Sequence, residues 1–262
     1  MLEGRRAVDA RAVTRSPGSL AVATRQEESV TVLTVQGVLD DGNSATLRES
    51  IVKATAEEPS PVIVDVSGLT TPDESAWSTL TGARWQLGRA DVPIVLVCTN
   101  RATREVISRS EVASLMPVYS TEKSAIKALT RLTRRSIRCA DSKLPADLNS
   151  LRESRRLVRE WLTAWSQSTL IPVALVVVNV FVENVLEHTG SVPMMRVEAD
   201  GETAIIAVSD GSSTPAVRLQ SPESGVDVSG LAIVDALVRA WGSTPTASGK
   251  TVWALIGPES QL

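Results

Sequence analysis

The residues most able to do chemistry in this 262-residue chain fall in two groups. The first is Thr71-Pro72-Asp73-Glu74-Ser75, two carboxylates between hydroxyls directly after the apolar run Val62–Val66. Threonine followed three residues later by glutamate has the spacing of a capping box, with proline at the first helical position. A carboxylate at a helix start is favoured by the helix dipole. One reading of this turn is therefore a well-capped helix with an acidic start, and the other is a functional Asp-Glu-Ser turn. The second group lies in the C-terminal half: Asn184 and His188 one helical turn apart, Asp210-Gly211 after an apolar run, Gly230 before another, and Gly249-Lys250-Thr251. Spacing alone makes Asn184 and His188 a polar helix face. Two isolated cysteines and a single histidine suggest neither a disulfide framework nor a zinc site.

Composition narrows the class. An apolar fraction of 43% and a charged fraction of 22% are those of a globular protein. A net charge of −3 argues against nucleic-acid binding, which needs a concentrated basic surface. The most apolar stretch, Leu170–Val182, has 13 residues and contains Pro172 and Asn179. That is short of the roughly 18 to 20 needed to span a bilayer, so it is expected to be a core element. The cysteine usage and the lack of a signal-peptide pattern predict a cytoplasmic protein.

Two α/β domains are expected. Residues 1–28 are polar and read as a mobile leader. From Ser29 to Leu132, apolar strands at Val30–Val35, Val62–Val66 and Pro93–Cys98 alternate with helical patterns. Residues 133–143 read as a connector and first strand region, and 144–258 as the second domain. A helix is expected from about Asp147 to Trp165, with Leu148, Leu151, Leu157, Val158, Trp161, Leu162 and Trp165 on one stripe. Between Arg131 and Arg159 nine basic residues face three acidic ones, either as a solvated face or as a docking surface for an acidic partner. Asp200-Gly201 between two apolar runs is a hairpin signal.

The Val62–Trp77 segment resembles the signature of STAS domains, the fold of bacterial anti-sigma factor antagonists. In that family an Asp-Ser pair follows a buried strand, and the serine is phosphorylated by a partner kinase. Asp73 matches the aspartate, Glu74 falls on the serine position, and Ser75 is one residue late. A carboxylate carries about −1 against the roughly −1.5 to −2 of a phosphoserine, so Glu74 is expected to imitate the modified state and Ser75 remains a candidate acceptor.

The second domain resembles the GHKL ATPases of the anti-sigma serine kinase type, with an expected mixed sheet backed by helices. The resemblance rests on Asn184-Val-Leu-Glu-His188, Asp210-Gly211, the glycine-started helix Gly230–Gly242 behind a lid at 212–228, and Gly249-Lys-Thr-Val-Trp253. It implies a nucleotide site at Asn184, His188, Asp210, Gly211, Gly230 and Thr251. Within it Asn184 would hold magnesium beside ATP phosphates, Asp210 would accept from the adenine amino group, and Thr251 would lie near the adenine. The chain departs from the family at three places. Val180 stands where the general-base glutamate belongs, and Glu183 points elsewhere around the helix. Ser212 replaces a glycine, and Val228 replaces one of the pair before Gly230. These departures predict a module that binds ATP and magnesium weakly or not at all and acts through protein contacts. The implied partners are a sigma factor, an anti-sigma factor or another antagonist, and intramolecular domain docking is open. Glu74 is expected to hold the two domains apart. An active serine/threonine kinase and a non-catalytic ATP sensor are the alternatives.

Overall fold

The computed structural model describes residues 20–27, 30–40, 42–56, 60–71, 74–87, 92–132, 137–216, 230–260 and 262, with only the backbone of 56, 74 and 75. The first domain is a five-stranded sheet in the order β1-β2-β3-β4-β5, formed by β1 (Ala21–Glu27), β2 (Val30–Val38), β3 (Val62–Thr70), β4 (Ile94–Val97) and β5 (Val118–Tyr119). β1 pairs antiparallel with β2, and all later pairs are parallel. Ala21–Glu27 is thus a strand, although residues 1–28 read as a leader. Its sequence, Ala-Val-Ala-Thr-Arg-Gln-Glu, is too polar to announce an edge strand that is mostly solvent-facing. β3 also extends beyond the apolar run Val62–Val66, through Gly68 to Thr70, with a register shift against β2 between Thr34 and Gln36.

Helices cover both faces of this sheet. Alternation along the strands sends Leu33, Val35, Val62, Val64 and Leu96 to one side, against Leu47 and Ile51 of α1 (Ser44–Ala56) and Leu80 and Ala83 of α2 (Ser78–Gln86). Ile107 of α3 (Arg101–Arg109) and Val112 of α4 (Glu111–Leu115) complete that layer. Val32, Ile63, Val95 and Val97 point the other way, onto Ala125 and Leu129 of α5 (Glu122–Leu132). α3 is capped by Asn100, whose Oδ1 accepts from the Ala102 and Thr103 amides. The expected helix start near Pro72 is a 3-10 turn, Glu74–Trp77, and α2 follows it at Ser78. Pro72 and Asp73 of the capping box lie outside the described residues.

The second domain has a five-stranded sheet in the order β6-β7-β8-β10-β9. Its strands are β6 (Arg138–Lys143), β7 (Met194–Ala199), β8 (Ala204–Asp210), β9 (Ala240–Thr246) and β10 (Gly249–Ile256). Every pair among them is antiparallel, so the expected mixed sheet is corrected. The β7–β8 hairpin turns at Asp200, whose Oδ1 accepts from the Glu202 and Thr203 amides. One face packs on α6 (Asn149–Ala164), α7 (Ile171–His188) and α8 (Gly230–Leu237). α7 is the apolar stretch seen in the sequence, with Val173, Ala174, Val177, Val178 and Phe181 buried in that core. Leu148, placed on the α6 stripe by periodicity, precedes the helix and is 77% exposed. α8 ends at Leu237, and Ala240–Gly242 begin β9, which shortens the helix expected to reach Gly242.

The other face of the second sheet is covered by the first domain. Ile205 and Ala207 of β8, Trp253 and Leu255 of β10 and Ala240 of β9 pack on Trp85 of α2 and Leu115 of α4. The Trp85 and Trp253 ring centroids are 6.5 Å apart. At the centre of the contact Thr81 and Thr244 share a 2.9 Å hydroxyl hydrogen bond, and Trp253 Nε1 donates to Thr244 Oγ1 at 3.2 Å. Gly82 permits the approach, because a Cβ there would lie 3.0 Å from the Pro245 carbonyl oxygen. The two domains are docked, which overturns the expectation that Glu74 keeps them apart: α2 begins four residues after Glu74 and is itself the docking element. Gly82→Leu should push α2 off β9, raising the radius of gyration in small-angle scattering while the far-UV circular dichroism stays unchanged. An unaltered radius in a folded variant would contradict this packing.

Candidate functional site

Four of the residues singled out by sequence surround one cavity of about 330 Å³ in the second domain. α7 brings Phe181, Asn184, Val185 and His188 to it, because residues three, four and seven apart share a helix face. Asp210 ends β8, Gly230 opens α8, and Lys250 and Val252 come from β10. Asn184 is half-buried and its side chain makes no hydrogen bond among the described residues, while the His188 side chain is 69% exposed. Gly211 follows Asp210, and its amide donates to Ser191 Oγ at 3.1 Å. Ser191 Oγ also lies 2.6 Å from Thr189 Oγ1, so the end of α7 is tied to the end of β8. Of the lid expected at 212–228, the described part, Ser212–Ala216, lines the cavity through Ser212, Thr214, Pro215 and Ala216. Val228 lies outside the described residues.

Thr251 is not at this cavity. Register pairs Lys250 with Asp210 and Thr251 with Ser209, and strand alternation puts the two β10 side chains on opposite faces. Thr251 Oγ1 instead meets Ser209 Oγ at 2.7 Å, beside a cleft lined by Arg48, Glu49 and Trp85 of the first domain. The expectation that Thr251 lies by the ligand is therefore corrected, and Lys250 takes its place. Lys250 Nζ is 3.0 Å from each carboxylate oxygen of Asp210, and both side chains are buried. Asp210 Oδ1 also accepts from the Ser212 amide at 2.7 Å. The carboxylate expected to receive an adenine amino group is thus already occupied by a cation, which does not fit that role. Sequence reasoning gave Lys250 no role of its own: alternation puts it and Thr251 on opposite faces of the strand, but only the pairing register sets Lys250 opposite Asp210.

Val180 is 7% exposed, and its Cγ1 lies 2.8 Å from where a Cβ on Gly230 would stand. The missing side chain of Gly230 is thus filled by a valine methyl, so the start of α8 is packed on carbon at the position assigned to a proton acceptor. Glu183, three residues further along the helix, is exposed. No group of three or more histidine, cysteine or acidic residues that could hold a metal occurs among the described residues. The side chains of Glu74 and Ser75 lie outside the described residues.

The junction between the domains carries its own electrostatics. Glu198 of β7 is 2% exposed and accepts from both terminal nitrogens of Arg84, at 2.6 and 3.3 Å. Arg196 Nε approaches the same carboxylate at 2.9 Å. Burial alone would raise the Glu198 carboxyl, but the charges and hydrogen bonds of Arg84 and then Arg196 outweigh it and hold it below the usual carboxylate range. Arg84 also stacks over Trp85, 5.3 Å from the ring centroid.

Residues 21–125 match the family description "STAS domain". The first domain is a STAS domain. Its homology is to anti-sigma factor antagonists. Over 112 residues the chain is 26% identical to the anti-sigma-F factor antagonist RsfA of Mycobacterium tuberculosis, covering 42% of this chain and 88% of that protein. Among solved structures, an anti-sigma factor antagonist from Mycobacterium paratuberculosis is 22% identical with a TM-score of 0.39, covering 44% of this chain and 97% of that one. A STAS domain protein from Planctomyces limnophilus is 18% identical with a TM-score of 0.34, covering 41% and 96%. The STAS domain and its α/β neighbour therefore meet through α2, the helix that follows the Glu74-Ser75 turn.

Glu198→Ala should leave two partly buried guanidiniums without their carboxylate and lower stability by roughly 3 kcal/mol in urea unfolding. The folded-state pKa of Glu198 lies below its unfolded value of about 4.3. Its contribution is thus fully present above that value and lost as pH falls through the folded pKa. Melting temperature should drop below about pH 4, and Glu198→Gln should flatten that part of the profile. A profile identical in wild type and Glu198→Gln would remove Glu198 from the junction.

Proposed function

We propose that this chain regulates sigma-factor activity by binding proteins, with its antagonist-type STAS domain held in cis by the second domain. The observation that carries the reading is the homology of residues 21–125 to a protein named as an anti-sigma-F factor antagonist. By that homology the partner class is an anti-sigma factor, met in the cytoplasm by a chain that switches between its own second domain and that partner. The α2 face buried on β9 and β10 supports this, because an external protein that needs the same helix must displace the internal contact. A tethered domain competes at an effective concentration on the order of millimolar, so a weak internal contact suffices to set a threshold.

In this reading the second domain is a kinase-like module without turnover. Its assigned base position holds a buried valine, and no acidic side chain replaces it on the cavity face of α7 among the described residues. Its cavity nevertheless gathers Asn184, His188, Asp210 and Gly230. That favours a second role for the same domain, as a nucleotide-sensing module that binds without phosphoryl transfer. Asn184 is the side chain that would hold magnesium, since a single amide oxygen suits an ion that keeps most of its water and phosphate ligands.

The test is binding of purified anti-sigma factors from the same cell to the full-length chain and to its Glu198→Ala variant. The variant should bind at least about ten-fold more tightly, a change of about 1.4 kcal/mol. Equal affinity would reject the cis-held state. Labelled ATP should leave no phosphate on Ser75 or any other residue, and incorporation that disappears in Asn184→Ala would establish the kinase alternative.

A further inference from the structure

The cavity beside α7 combines an apolar bed with one unusual polar feature, the buried Lys250–Asp210 pair. Phe181, Val185, Leu231 and Val252 supply the bed, and its volume of about 330 Å³ accommodates a flat ring system. The Asp210 side chain is 1% exposed and that of Lys250 9%, so a ligand in the cavity meets the ammonium before the carboxylate. An ammonium has three N–H donors and no acceptor. The ammonium donates to Asp210 Oδ1 at 3.0 Å and lies 3.0 Å from Oδ2 in the same ion pair, and it has no other protein acceptor among the described residues. A buried donor left unfilled is unfavourable, and a ligand atom with a lone pair is what relieves it.

We infer that this cavity selects a planar ring bearing a carbonyl, which among purine bases means guanine or hypoxanthine, over adenine. The inference rests on reading the cavity as a nucleotide site. Guanine presents O6 and N7 as adjacent acceptors, whereas adenine offers N7 beside an amino group that only donates. With the N7–C6 edge of the ring turned to Lys250, guanine sets two acceptors before the ammonium, whereas adenine sets one acceptor and one donor. The aspartate behind the ammonium is already engaged by Lys250 and by the Ser212 amide. Because Lys250 and Asp210 cancel in charge, a neutral carbonyl is preferred to a carboxylate, which would leave a second negative charge beside Asp210.

The experiment is isothermal titration of the full-length protein, with magnesium, against GTP, ITP and ATP, accompanied by thermal shift. GTP and ITP should bind roughly ten-fold or more tightly than ATP. Lys250→Gln, whose amide nitrogen can still donate to Asp210 while its carbonyl faces the cavity, should reverse the order toward ATP. ATP binding as well as or better than GTP, or a folded Lys250→Gln that keeps the wild-type order, would overturn the inference while leaving the nucleotide site in place. Binding of none of the three at millimolar concentration would remove the nucleotide reading itself and the inference with it. If the variant does not fold, the ranking in the unaltered protein decides alone.

Discussion

The sheet of the second domain has two apolar faces, and its own helices cover only one of them. Val252, Ala254 and Ile256 turn toward α6–α8, while Trp253 and Leu255 turn the other way. An indole and a leucine on an open sheet face would leave a contiguous apolar patch in water. The first domain closes it with α2 and α4, and Trp253 becomes fully buried. The apolar part of the contact between the two domains follows from that requirement.

α2 consequently belongs to two cores at once. Leu80 and Ala83 pack under the STAS sheet, while Thr81, Gly82 and Trp85 meet the second sheet. Arg84 fixes the register by reaching the buried Glu198. Desolvation offsets much of the attraction in a buried ion pair, so the pair adds little net stability while the loss of one partner is costly. A helix shared in this way connects the turn at Glu74–Trp77, at its N-terminus, to the β10 strand that also carries Lys250. The cavity and the docking surface thus sit on opposite faces of the same strand. A ligand that engages Lys250 and a protein that engages α2 both act on β10.

Much of the architecture was legible in the sequence because its signals are local. The alternation of Val30–Val35, Val62–Val66 and Pro93–Cys98 with helical stretches marked the first domain, and residues 21–125 carry the STAS match. What was missed depends on pairings between distant residues. β1 is an edge strand of mostly polar residues. α2 is buried nearly all round at Thr79–Ala83, yet its threonines and glycine give it no apolar stripe to read. The unbroken apolar run Val252–Ile256 did carry the signature of a strand buried on both faces, though nothing local said what would cover the second face. Asn184, His188, Asp210 and Gly230 were grouped only by the family resemblance, since spacing alone reads Asn184 and His188 as a polar helix face; the structure brings all four to one cavity. Thr251 was misplaced by one residue, and one residue on a strand exchanges faces.

The claim on which the account turns is that α2 lies on β9 in the free protein. Its most direct measurement is a cross-link between Thr81→Cys and Thr244→Cys, whose native hydroxyls are 2.9 Å apart, in a chain with Cys98 and Cys139 replaced by serine. In dilute oxidising solution the account predicts rapid, concentration-independent formation of an intramolecular disulfide, seen as a thiol-dependent mobility shift. Two free thiols under those conditions, or disulfides only between molecules, would contradict it.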